Sequence, residues 1–126
     1  YAKVNIVEIT EEKFSSDAER AIIQRKEAVK ILAKVPKGAI LIALHEAGKS
    51  FTSPQLAKWL DEQSTRGEHL VFVLGGPLGL HADVLAAATL KLSLSSLTFP
   101  HQLARVILDE QLYRAAMILA GKSYHY

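Results

Sequence analysis

Three short apolar runs set the architecture of this 126-residue chain. Residues 71–74 (VFVL) empty into Gly75-Gly76-Pro77-Leu78-Gly79, and residues 90–94 (LKLSL) into Ser95-Ser96-Leu97-Thr98-Phe99-Pro100-His101. Residues 39–44 (AILIAL) lead into an exit loop over 45–52. Runs this short, bounded by turn residues, read as strands buried on both faces of a parallel sheet. A helical pattern follows each one, and that alternation predicts an α/β fold with a mostly parallel sheet flanked by helices. In such sheets small ligands bind at the carboxyl ends of the strands, where main-chain amides and helix N-termini point into the crevice. If the strands at 71 and 90 are neighbours, their two loops wall one pocket.

The remaining segments fit the same scheme. Residues 4–9 (VNIVEI) alternate and are rich in β-branched residues, as a strand requires. Ser16 and Glu19 have capping-box spacing and open a helix to about Lys34, with Ile22, Ile23, Val29, Ile31 and Leu32 expected on its buried side. Pro36-Lys37-Gly38 stops it. Ser53 before Pro54 reads as the cap of a helix running to Arg66, anchored by Leu56, Trp59 and Leu60, and a short helix is expected near 82–88. The last helix, from about Pro100 to Ala120, places Leu103, Val106 and Ile107 on one face. Arg105 with Asp109, and Glu110 with Arg114, stand at pairing distance along it. Its second half, 112–120, is apolar almost all round apart from Arg114, so a second cover is needed, and a homodimer through this helix is expected.

Composition narrows the functions available. With 49% hydrophobic and 22% charged residues the chain is long enough for one core, and a single domain over 1–126 is expected. The absence of cysteine removes disulfides, thiolate nucleophiles and Cys-ligated zinc. His45, His69, His81, His101 and His125 show no metal-ligand spacing, so no metal site is expected. No G-x-S-x-G elbow supports a serine hydrolase. No run is long enough to span a bilayer and the start is no signal peptide, so a cytoplasmic protein is expected. A net charge of +2 permits contact with a polyanion without demanding it.

The loops themselves leave alternatives open. The glycines at 75, 76 and 79 match neither G-x-G-x-x-G nor a phosphate-cradling loop, and they serve a tight turn as well as a ligand. The hydroxyls of Ser95, Ser96 and Thr98 could cap the following helix or present a polar surface. Leu44 could be core or the apolar wall of a pocket.

Taken together the motifs are more specific. The runs FVLGGPLG at 72–79, LSLSSLTFPH at 92–101, RVILDEQLYRAA at 105–116 and Ser123-Tyr124-His125, with Leu44, Gly48-Lys49 and SPQL at 53–56, resemble the RlmH family. Its members are SPOUT-class methyltransferases that methylate N3 of a pseudouridine in large-subunit ribosomal RNA. The resemblance covers essentially the whole chain. It implies a C-terminal trefoil knot, S-adenosylmethionine as methyl donor, and a homodimer whose active sites are completed by the partner.

Carried over by motif, cofactor contacts fall on Leu44, Gly76, Ser95, Ser96, Leu97, Thr98, Phe99 and Pro100. Catalytic roles fall on His125, Tyr124 and Arg105, with His101 contacting RNA or the partner subunit. The resemblance also implies ribosomal RNA as partner; the small basic surplus suggests recognition on the assembled ribosome. Relative to the family the chain begins at the second strand, so the first strand and helix are expected to be absent. Leu78 stands where glutamate is common, and Tyr126 where arginine is common. The alternatives are another RNA target for the same fold, or a catalytically idle knotted domain that binds RNA or ribosomes.

Overall fold

A computed structural model of the chain describes residues 4–8, 17–64, 69–75 and 80–121. The elements in order are β1 (Val4–Glu8), α1 (Asp17–Lys34), β2 (Ile40–Ser50), α2 (Ser53–Ser64), β3 (Leu70–Leu74), α3 (Ala82–Ala87), β4 (Leu90–Ser93) and α4 (His101–Leu119). The sheet is wholly parallel, in the order β1-β3-β2-β4. The α/β reading therefore holds among the described residues, but one premise does not. β3 and β4 are not neighbours, because β2 lies between them.

Strand periodicity sorts the core into two layers. Val71 and Val73 of β3 point with Leu41 toward Ala28 and Ile31 of α1 and Val84 of α3. Leu70, Phe72 and Leu74 point the other way, with Ile40, Ile42 and Leu92, toward Leu56, Ala57 and Leu60 of α2 and Leu108 and Ala115 of α4. The central strands are thus covered on both faces, which is why their sequences are continuous rather than alternating.

Local chemistry explains most boundaries. Gly38 adopts φ +82°, as the third position of a type II turn requires, and Ala39 N–H closes that turn on Pro36 O at 3.0 Å. α2 departs from expectation at its start. Thr52 is the cap: its Oγ1 accepts from Gln55 N–H at 3.2 Å while Gln55 Oε1 accepts from Thr52 N–H at 2.9 Å, a reciprocal capping box. Ser53, freed from capping, donates its hydroxyl to Gln111 Oε1 of α4 at 2.7 Å and ties the two helices together.

The buried face of α1 also differs from the sequence reading. Ile22 and Val29 are 56% and 66% exposed, while Glu27 and Ala28 are buried. At 3.6 residues per turn a stripe through Ile23, Glu27 and Ile31 leaves positions 22 and 29 on the far side. In α4 the buried stripe is Ala104, Leu108, Leu112 and Ala115, so Leu103 and Val106 face outward. The pairs expected along α4 are present, with Arg105 Nε 3.1 Å from Asp109 Oδ2 and Arg114 Nη2 2.6 Å from Glu110 Oε1.

Candidate functional site at the carboxyl edge of the sheet

Because all four strands are parallel, the segments following β3, β2 and β4 leave from one edge. Leu44 stands at the centre of that edge. It is half-buried and in register with Leu92 on one side, while the preceding pair Ala43–Val73 aligns β2 with β3 on the other. The ends of β3 and β4 are therefore separated by one strand, roughly 10 Å across two strand spacings. Gly75 and the start of the serine loop thus lie on opposite sides of β2.

β2 does not end at Leu44 as its sequence suggested. Leu44 and Lys49 both pair with Leu92, and Ser50 then pairs with Ser93, so residues 45–48 are extruded as a bulge and the strand resumes. Gly48 permits the resumption. A Cβ there would lie 2.6 Å from Lys91 O and 2.7 Å from its carbonyl carbon, so β2 can close on β4 only where no side chain intervenes. Within the bulge His45 Nδ1 accepts from Ala47 N–H at 3.1 Å. Beyond it, the Phe51 ring lies 6.4 Å from that of Trp59 and anchors the strand's exit on α2.

The segment after β4 is shaped by its own hydroxyls and held by the bulge. Ser93 Oγ donates to Ser95 O at 2.9 Å, and Ser95 Oγ accepts from Leu97 N–H at 3.0 Å. Thr98 Oγ1 donates to Glu46 Oε2 at 2.9 Å, so the bulge and the serine loop are joined side chain to side chain. Ser96, Thr98 and Pro100 are exposed, Phe99 is half-buried and Leu97 is 69% exposed. Pro100 caps α4 in extended conformation (φ −55°, ψ 145°) without a side-chain bond, and Ala104 N–H bonds its carbonyl at 3.0 Å. None of the three hydroxyls therefore caps the helix.

Of the residues singled out in the sequence, the structure gathers Leu44 and residues 95–100 at one edge, with Gly75 closing β3 beside them. Arg105 lies one turn into α4 and pairs with Asp109. Gly76, Tyr124 and His125 lie outside the described residues, as do Leu78, Tyr126 and the His101 side chain. Glu46 and Gly48 carried no assigned role in the sequence. Their work depends on a bulge that no periodicity announces. Among the described residues, no group of three His, Asp or Glu side chains could hold a metal ion, and no helix is long and apolar enough to cross a membrane.

Comparison with known proteins bears on what this edge is for. A family model described as predicted SPOUT methyltransferase matches residues 1–125. The chain is also 46% identical, over 129 aligned residues, to ribosomal RNA large subunit methyltransferase H of Clostridium novyi (strain NT), covering 99% of this chain and 81% of that protein. The chain belongs to the RlmH family of SPOUT methyltransferases. In this RlmH-family chain, described residues from the motifs that carried the resemblance lie at one end of the sheet. Leu44 and Gly48 come from β2, Gly75 follows β3, and the serine loop follows β4.

Proposed function

We propose that this chain methylates N3 of a pseudouridine in large-subunit ribosomal RNA, using S-adenosylmethionine, as a knotted homodimer. The observation that carries the reading is the Glu46–Thr98 clasp, which ties the serine loop to the bulge that follows Leu44 at the carboxyl edge, in a chain 46% identical to a ribosomal RNA large subunit methyltransferase. The edge suits an adenosyl ligand. Leu44 and Leu97 offer apolar side chains, and the irregular segment between β4 and α4 offers main-chain donors and acceptors, the mixture that small-molecule sites use. Leu44, Gly76 and residues 95–100 hold the cofactor.

S-adenosylmethionine, when bound, supplies an electrophilic methyl group. The chain's own contribution is proximity and alignment, together with handling of the proton that leaves N3. His125 assists that departure, Tyr124 positions the nucleobase, and Arg105 and His101 meet RNA or the partner subunit. Placing His125→Ala in a single-turnover methylation assay should lower the rate about 10²- to 10⁴-fold, the range typical of a lost general base, while calorimetric affinity for S-adenosylmethionine is retained. Unchanged turnover together with unchanged RNA affinity would remove the role.

The dimer reading draws on α4. Leu103, Val106 and Tyr113 are 46%, 61% and 54% exposed and share its outward face, an apolar surface suited to a second copy. Recognition on the assembled ribosome follows from the small net charge, and equal methylation of naked RNA and intact particles would contradict it.

A further inference from the structure

The solvent face of α1 takes no part in the site described above, and its charge is one-sided. From residue 25 to its end it presents Arg25, Lys26, Lys30 and Lys34, with Lys37 in the turn that follows, all exposed and with no carboxylate among them. Glu27, the one acid in that span, is 9% exposed and turned into the fold. No ion pair joins any of these five cations to a carboxylate among the described residues.

Lys26, Lys30 and Lys34 stand four residues apart in succession, so they form one row with a rise of about 6 Å per step. Like charges at that spacing oppose helix formation. A position in the last turn accounts for Lys34, which favours the helix dipole, but not for Lys26 or Lys30. The row is matched instead by an external polyanion whose charges recur at a similar interval, as the phosphates of a nucleotide strand do. Ile22 and Val29 lie beside it, exposed and two turns apart.

The placement is also suitable. α1 packs on the sheet face opposite α4, so association through α4 leaves the row uncovered. α1 precedes β2 and runs back across the sheet from the carboxyl edge, so the row extends away from the site along one side of the molecule.

We infer that the α1 row is a phosphate-backbone contact that holds the ribosomal RNA substrate outside the active site. The inference rests on the rRNA-methyltransferase reading and adds to it a second, sequence-independent foothold.

The test compares wild type with a K26Q/K30Q/K34Q variant and with its charge-keeping K26R/K30R/K34R counterpart. Methylation of ribosomal particles is measured from low to high KCl. Removing three phosphate contacts should raise KM about tenfold or more at low salt and reduce the slope of log KM against log salt by about 2 to 3. The arginine variant should behave as wild type, and kcat and S-adenosylmethionine affinity should be unchanged in both. Because the three side chains are exposed, coincident melting curves establish that the variants fold.

If wild type methylates the particles and the glutamine variant keeps its KM and slope, the α1 inference is overturned and the enzymatic reading stands. If wild type binds the particles with a slope that the glutamine variant loses, yet transfers no methyl group, the inference survives and the enzymatic reading falls. Row-dependent sedimentation with phosphatidylserine vesicles, alongside an unchanged particle KM, would reassign the row to a membrane surface and overturn it.

Discussion

At the scale of single residues, the site depends on two groups that hold the main chain. Gly48 is the more stringent, because an added methyl group meets main-chain atoms of Lys91, which cannot swing away as a side chain could. Gly48→Ala should therefore destabilise the fold by about 1 to 3 kcal/mol in urea denaturation, the usual cost of overpacking, and loosen the serine loop as well. Glu46 acts differently. Its bond to Thr98 is exposed, so Glu46→Ala, which leaves the Thr98 hydroxyl no acceptor there, should change stability by less than about 1 kcal/mol. The same variant should weaken S-adenosylmethionine two- to fivefold in calorimetry, because the loop loses one of its fastenings. Equal stability with equal affinity would show that the clasp does not shape the site.

At the scale of elements, β3 is the centre of the core and the part most readily foreseen. All five of its residues are buried, Phe72 completely, between helices on both faces. Phe72→Ala should cost about 3 to 5 kcal/mol in the same denaturation experiment, and a smaller loss would mean that the surrounding side chains collapse into the space. An uninterrupted apolar run has few places to go except the middle of a parallel sheet, so the strands were legible from composition and spacing alone. Strand order was not. Nothing in the residues of β3 or β4 states that β2 will lie between them, since the choice is made by crossover packing over some thirty residues of chain. The bulge of β2 was equally hidden, because residues 45–48 look like any polar exit loop until Lys49 is seen to pair where Leu44 had already paired. Helix faces were half legible. Counting Ile and Val identified the helices, but only the angular phase set by Ile23, Glu27 and Ile31 decided which of them go inside.

At the scale of the whole molecule, the two faces of the sheet have separate surfaces to offer. On one, α4 turns Leu103, Val106 and Tyr113 outward. A Val106→Asp/Tyr113→Asp variant should sediment as a monomer where the unaltered chain sediments as a dimer, and should lose methylation if each site needs its partner. A dimer that survives both charges would assign association to another face. On the opposite side of the sheet, α1 exposes its cations toward solvent. Between these faces the carboxyl edge receives the segments that follow β3, β2 and β4, and the account stands on that edge being where the methyl donor binds. Titration of S-adenosylmethionine into isotopically labelled protein, followed by amide chemical shifts, addresses this directly. Saturable shifts concentrated at residues 44–48, at Gly75 and at residues 94–99, with α1 unmoved, are the predicted result; a saturable response centred elsewhere, or none at all, would contradict it.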